Sequence, residues 1–125
     1  MGLLSGLLGN ASEVDAPKMQ AEFAEILAPG EAVEKAYVVI RDAMLFTNRR
    51  LILMDKQGVT GSKIEYHSLP YRSISHFSVE TAGHFDLDAE LKIWVSGRAE
   101  PFRTTFKKGL SIYAVQAVLA GYVCR

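Results

Sequence analysis

Between Glu31 and Lys107 the chain switches so often between short apolar or β-branched runs and turn residues that only antiparallel strands fit. The runs are Ala32–Ile40, Ala43–Thr47, Arg50–Asp55, Lys63–Leu69, Ile74–Thr81, Glu90–Ser96 and Pro101–Lys107. Between them lie Arg41-Asp42, Asn48-Arg49, a hairpin loop from Lys56 to Ser62 with Gly58 and Gly61, then Pro70, and a turn region from Ala82 to Asp88. Asn at a hairpin turn tolerates positive φ. Parallel strands need crossovers of about a dozen residues or more, and no linker here provides one. Within the runs the pattern alternates. Ile74, Phe77 and Val79 share an apolar set, with an irregularity expected near Ser75-His76. Leu91, Ile93 and Val95 oppose Lys92 and Trp94, and Phe102, Thr104 and Phe106 share a face. After the strands, Ile112, Val115, Leu119 and Tyr122 recur as one helical stripe, with Gly109 or Ser111 able to cap it. The expected fold is mainly β: seven antiparallel strands in two near-orthogonal sheets, a partly open barrel closed at one end by the C-terminal helix.

The first thirty residues read differently. Leu3, Leu4, Leu7 and Leu8 have helical spacing, weakened by glycines. Ser12 is a candidate cap, with Pro17 tolerated in the first turn, and Met19, Phe23, Ile26 and Leu27 form an apolar stripe. Pro29-Gly30 stops this helix. The expected organisation is an N-terminal helical extension over 1–30 and a β domain over 31–125. Four acids against one base give the extension a net charge of −3, and thirteen bases against ten acids give the remainder +3.

Charge and composition exclude more than they assign. Fourteen basic and fourteen acidic side chains cancel, which argues against nucleic-acid binding and weakens an electrostatic membrane role. One cysteine, Cys124, excludes an internal disulfide and a multi-cysteine zinc site. The apolar start lacks a basic region ahead of it and is broken by Gly2, Ser5, Gly6 and Gly9, unlike a signal peptide. No apolar run approaches the ~20 residues of a spanning helix. A cytoplasmic protein is expected.

Several segments carry a resemblance. Leu45-Phe-Thr-Asn-Arg-Arg-Leu-Ile-Leu-Met-Asp55, Gln57-Gly58, Ser68-Leu-Pro-Tyr-Arg-Ser-Ile74, Phe77-Ser-Val-Glu-Thr-Ala-Gly83 and Phe85-Asp-Leu-Asp-Ala-Glu-Leu91 resemble the bacterial pleckstrin-homology-like family, long catalogued as a domain family of unknown function. So does the opening Met1-Gly-Leu-Leu-Ser-Gly-Leu-Leu-Gly-Asn10. The resemblance implies a pleckstrin-homology-like barrel, assembly into a cyclic homo-oligomer of five copies, and action through an unidentified protein partner. Lipid-binding relatives of the fold hold phosphoinositides in a long basic loop between the first two strands. Here that connection is Ile40-Arg41-Asp42-Ala43, too short to wrap a headgroup, with Asp42 neutralising Arg41.

Candidate chemistry is sparse. There is no phosphate-binding glycine loop and no nucleophile motif, so no enzyme activity and no cofactor are expected. His84, Asp86, Asp88 and Glu90 alternate, but no glycine-punctuated calcium loop surrounds them, and no metal site is assigned. His67 and His76 read as ordinary strand histidines. Arg49 and Arg50 read either as a solvated hairpin tip or as a fork for a carboxylate or other anion. The candidate protein-interaction rim, chosen as polar residues near strand ends, is Arg49, Arg50, Lys63, Tyr71, Glu80, Asp86 and Asp88. Strands apolar on both faces need a second cover, either the N-terminal helices or another subunit. Ala36, Val38 and Ile40 should face one way and Tyr37 and Val39 the other, which makes Tyr37 and Val39 the expected oligomer interface. The alternative function is a membrane-associated lipid-binding module anchored by the Leu-rich N-terminus.

Overall fold

The computed structural model describes residues 12–39, 42–57, 63–81, 89–106 and 112–124. Its strands are β1 (Ser12–Val14), β2 (Val33–Val39), β3 (Asp42–Thr47), β4 (Arg50–Gln57), β5 (Lys63–Pro70), β6 (Ile74–Thr81), β7 (Ala89–Val95) and β8 (Phe102–Phe106). Helix α1 spans Ala16–Glu22 and helix α2 spans Ile112–Val123. One sheet has the order β1-β2-β3-β4-β5 and the other β6-β7-β8, with every pairing antiparallel. The expected strands β2 to β8 are all present, and the register slip near Ser75 lies between Ile74 and His76.

Two expectations for the N-terminal region give way. Ser12 is not a helix cap but the first residue of β1, which pairs with Val38 on the outer edge of β2. The reason is that β2 would otherwise leave a row of backbone groups unpaired. Asp15 takes the cap position, and Pro17 sits in the first turn, as a residue without an N–H can. The helix then ends early, in a 3-10 turn over Ala24–Ile26. The segment before residue 30 thus contributes a strand as well as a helix, and β1 belongs to the same sheet as β2 to β5. Gly30 has φ near +79°, a left-handed backbone conformation that favours glycine. Leu3 to Leu8 lie outside the described residues, as do Gly109 and Ser111.

The five-stranded sheet is apolar on both faces because both are covered. Its inner face sends Tyr37, Met44, Phe46, Leu51, Leu53 and Leu69 into a core shared with Ile74, Leu91, Ile93 and Phe106 of the second sheet and Ile112, Val115 and Leu119 of α2. Its outer face sends Val33, Ala36, Ala43, Leu45, Ile52 and Met54 against Met19 and Phe23 of the N-terminal region. The apolar stripe read from Met19 to Leu27 does what its spacing implies, with Ile26 and Leu27 packed alongside.

Candidate functional site

The expected rim begins with Arg49 and Arg50, and the fold separates these neighbours. Arg49 is exposed, with one long contact from Nη2 to the Pro29 carbonyl at 3.4 Å. Arg50 turns under the N-terminal region. Its Nε–H donates to Glu31 Oε2 at 2.8 Å and Nη2–H to Glu31 Oε1 at 3.0 Å. Further donations run from Nη2 to the Ile26 carbonyl at 2.6 Å and from Nη1 to Ser68 Oγ at 2.6 Å. Every arm of the fork is occupied inside the subunit. Arg50 is thus a carboxylate fork, but its carboxylate is the chain's own.

Glu31, only 4% exposed, is the other half of this clamp. It also accepts hydrogen bonds from Thr47 Oγ1 at 2.6 Å and from the Ala28 N–H at 2.9 Å. The Arg50 hydrogen bonds, helped by Thr47 and Ala28, outweigh burial and hold its carboxyl down at about 2. Gln20 of α1 donates to the Glu31 carbonyl at 3.1 Å and accepts from the Val33 N–H at 2.6 Å. Asn48 accepts from the Ala32 N–H at 2.8 Å and donates to the Gly30 carbonyl at 3.2 Å. Neither Glu31 nor Gln20 stood out in the sequence. The one local signal was an acid directly after the Pro29-Gly30 stop.

The remaining rim residues scatter. Lys63 is exposed at the start of β5, and Glu80 is exposed near the end of β6, 3.8 Å from Lys92 Nζ. Tyr71 lies in the turn between the sheets. Its hydroxyl donates to the Thr47 carbonyl at 2.6 Å and its ring stacks on Tyr122 at 4.7 Å. Burial first, then the nearby Tyr122 and Glu34, raises its phenol above the usual range. Asp86 and Asp88 lie outside the described residues.

Of the two expected interface residues, Tyr37 is 2% exposed and meets Phe46 edge-on at 6.1 Å. That places it in the subunit's core, out of a neighbour's reach, because the face opposite Ala36 is the inner one. Val39 is described by its backbone, as the last residue of β2, paired with Asp42. This pairing also makes Asp42 the first residue of β3 instead of part of the turn, and leaves Ile40 and Arg41 as the whole connection.

A second polar region borders a cleft lined by residues of both sheets. A cleft of about 440 Å³ is lined by Asp42, Leu53, Asp55, Glu65 and His67 and by Arg98, Pro101, Phe102, Arg103 and Thr104. Asp55 and Glu65 are directly opposite one another across β4 and β5. Gln57 Nε2 donates to both, at 3.2 Å to Asp55 and 3.0 Å to Glu65. His67 Nε2 is 3.1 Å from Glu65 Oε1. The Arg98 guanidinium lies 3.9 Å from the centre of the Phe102 ring, which also meets the His67 ring at 4.6 Å. Among the described residues no group of three or more His, Cys, Asp or Glu could hold a metal ion. No described helix is long and apolar enough to cross a membrane.

The arrangement has counterparts. A family model described as the bacterial PH domain matches residues 2–123. The chain is 58% identical over 125 residues to the Bacillus subtilis (strain 168) protein YjqA, covering 99% of each. It is similar to the crystal structure of a pleckstrin-homology domain from Shewanella amazonensis SB2B, with TM-score 0.82, 52% identity and 98% of each chain covered. A pleckstrin-homology-domain protein from Shewanella loihica PV-4 aligns with TM-score 0.79 and 50% identity, over 92% of this chain and 98% of that one.

Proposed function

Because the chain belongs to the bacterial PH domain family, we propose that it is a non-enzymatic module that assembles with copies of itself into a closed ring and offers a polar rim to a protein partner. The observation that carries this reading is the two longest of the four edge strands among the described residues, β5 and β6. β5 and β6 are each eight residues long, and each is hydrogen-bonded on one side only among the described residues. An unpaired edge of that length is a template for another strand. β5 also exposes Ile64 and Tyr66, each 43%. A contact between two unlike edges of one chain closes into a ring or continues as a fibre. With Arg50 bound inside, the rim is carried by Arg49, Lys63 and Glu80.

The two-residue connection between β2 and β3 supports protein recognition over phosphoinositide recognition, since it has no length to surround a headgroup. Light scattering tests the assembly. A discrete multiple of the 13.8 kDa subunit is expected, and Ile64→Lys should reduce it toward a folded monomer. A monomer mass for the unaltered protein across micromolar concentrations overturns the reading.

A further inference from the structure

The N-terminal region covers the outer face of the five-stranded sheet but leaves part of β5 open. Ser12, Val38, Ala43, Met54 and Tyr66 are successive cross-strand partners and form one row on that face. Ala43 and Met54 in this row are buried, whereas Tyr66 and its same-face neighbour Ile64 are each 43% exposed. Phe23 meets the Tyr66 ring edge-on at 6.3 Å, and the apolar cluster around Met19 and Phe23 does not take in Ile64. Of the three large apolar side chains exposed among the described residues, two therefore stand side by side. Strand β1 is antiparallel to β2, so it begins at the end of the sheet where Val39, Lys56 and Ile64 lie. The chain ahead of it, Met1 to Ala11, holds Leu3, Leu4, Leu7 and Leu8. From β1 to β5 is four strand spacings, roughly 19 Å in all. The eleven residues before Ser12 can reach about 36 Å when extended.

We propose that the segment Met1–Asn10 folds back over its own subunit and lays its leucines against Ile64 and Tyr66, completing the cover of the outer face. Two apolar groups that each lack a cover are joined by a chain long enough to bring them together, and the joining raises their effective concentration. A neighbouring copy's segment is disfavoured, because the same contact within one chain needs no association. A lipid surface is disfavoured, because residues 1–11 carry no basic side chain to hold anionic headgroups. Docking uses side chains of β5 and leaves the backbone groups of its edge for another strand, so the inference stands whether or not copies assemble. Ile64 flanks both contacts; Tyr66 and the leucines separate them.

Hydroxyl-radical footprinting of the full chain tests it, with Tyr113 as the internal reference. Uncovered, Tyr66 and Tyr113 should be oxidised in proportion to their exposures, 43% and 67%. Docking should slow Tyr66 several-fold below that proportion. Leu3→Ser, Leu4→Ser, Leu7→Ser and Leu8→Ser together should restore it, with the circular dichroism spectrum and Tyr113 unchanged. In the unaltered chain, nuclear Overhauser contacts should join leucine methyls of the segment to the Tyr66 ring. They should persist when labelled chain is refolded with an excess of unlabelled chain. Tyr66 oxidised at its uncovered proportion in the unaltered chain, protection that survives the four substitutions, or contacts that vanish on mixing each overturn the proposal. The last outcome assigns the segment to a neighbouring copy. Leucine-dependent binding to vesicles of phosphatidylethanolamine and phosphatidylglycerol, with Tyr66 uncovered in their absence, overturns it in favour of a membrane anchor. Light scattering of the same samples reads assembly separately: a monomer that shows these contacts keeps this inference and overturns only the ring.

Discussion

On the inner face of the five-stranded sheet, Phe46, Leu51 and Leu53 meet a second sheet and a helix of twelve residues. On the outer face, Ala36, Leu45 and Ile52 meet a helix of seven. A seven-residue helix has almost no stability of its own in water. Its side of the sheet is therefore fixed by more than apolar area: Gln20 ties α1 to the start of β2, and Glu31 with Arg50 ties the chain below it to β4. The inner face is held by packing spread over many side chains, whereas the outer face depends on a few polar contacts placed around a smaller apolar patch. The same contrast separates two sets of charges. Arg50 and Glu31 are consumed in closing the subunit, while Arg98 and Arg103 form no ion pair among the described residues.

Removing a clamp partner should break the outer face most severely. Glu31→Ala leaves Arg50 half-buried without its carboxylate, and about 3–5 kcal/mol of stability should be lost. Urea denaturation measures this. Hydrogen exchange should show α1 and β1 opening before β6 to β8. A change within about 0.5 kcal/mol would mean that apolar packing alone holds the outer face.

Leu119→Ala probes the inner face. Leu119 is fully buried at the centre of the α2 stripe, and the cavity should cost about 2–5 kcal/mol. Here protection should fall in both sheets together, because α2 and the two sheets share one core. Loss confined to α2 would show that the helix is a removable plug.

Acid should weaken the outer face first. Glu31 is held near 2 in the folded protein, against 4.5 for its ordinary value. A depressed carboxyl makes its contribution above the ordinary value and loses it as pH falls from about 4.5 through 2. The full loss is about 3 kcal/mol. The stability difference between the unaltered protein and Glu31→Gln, followed by denaturation from about pH 6 downward, should shrink as pH falls through the carboxyl range. A constant difference would show that Glu31's charge is not what Arg50 holds.

The smallest expected effect sharpens the comparison. Gln20→Ala removes two hydrogen bonds to backbone groups flanking Ala32, and about 1–2 kcal/mol should be lost. Faster exchange of the Val33 amide, without change in β7, would place the effect on the outer face alone.

Local pattern determined much of this molecule. Seven strands and the closing helix were legible because alternation, turn residues and the stripe of Ile112, Val115 and Leu119 act within a few neighbours. The stripe through Met19 and Phe23 was legible for the same reason. Tertiary structure alone decided how the apolar faces are covered. Tyr37 and Ala36 are both apolar neighbours in sequence terms, and which of them meets the second sheet depends on how the sheets fold over one another. Ser12 became a strand because β2 had an edge to fill, which no window around Ser12 records. Arg49 and Arg50 are the same residue type in adjacent positions; Arg49 lies in the turn and is exposed, whereas Arg50 opens β4 and meets Glu31, nineteen residues away along the chain. The cleft is likewise tertiary, since its lining draws Asp55 and Glu65 from one sheet and Phe102 from the other. Periodicity is a property of one segment, whereas charge pairing and burial are properties of distances between segments, and those exist only once the chain has folded.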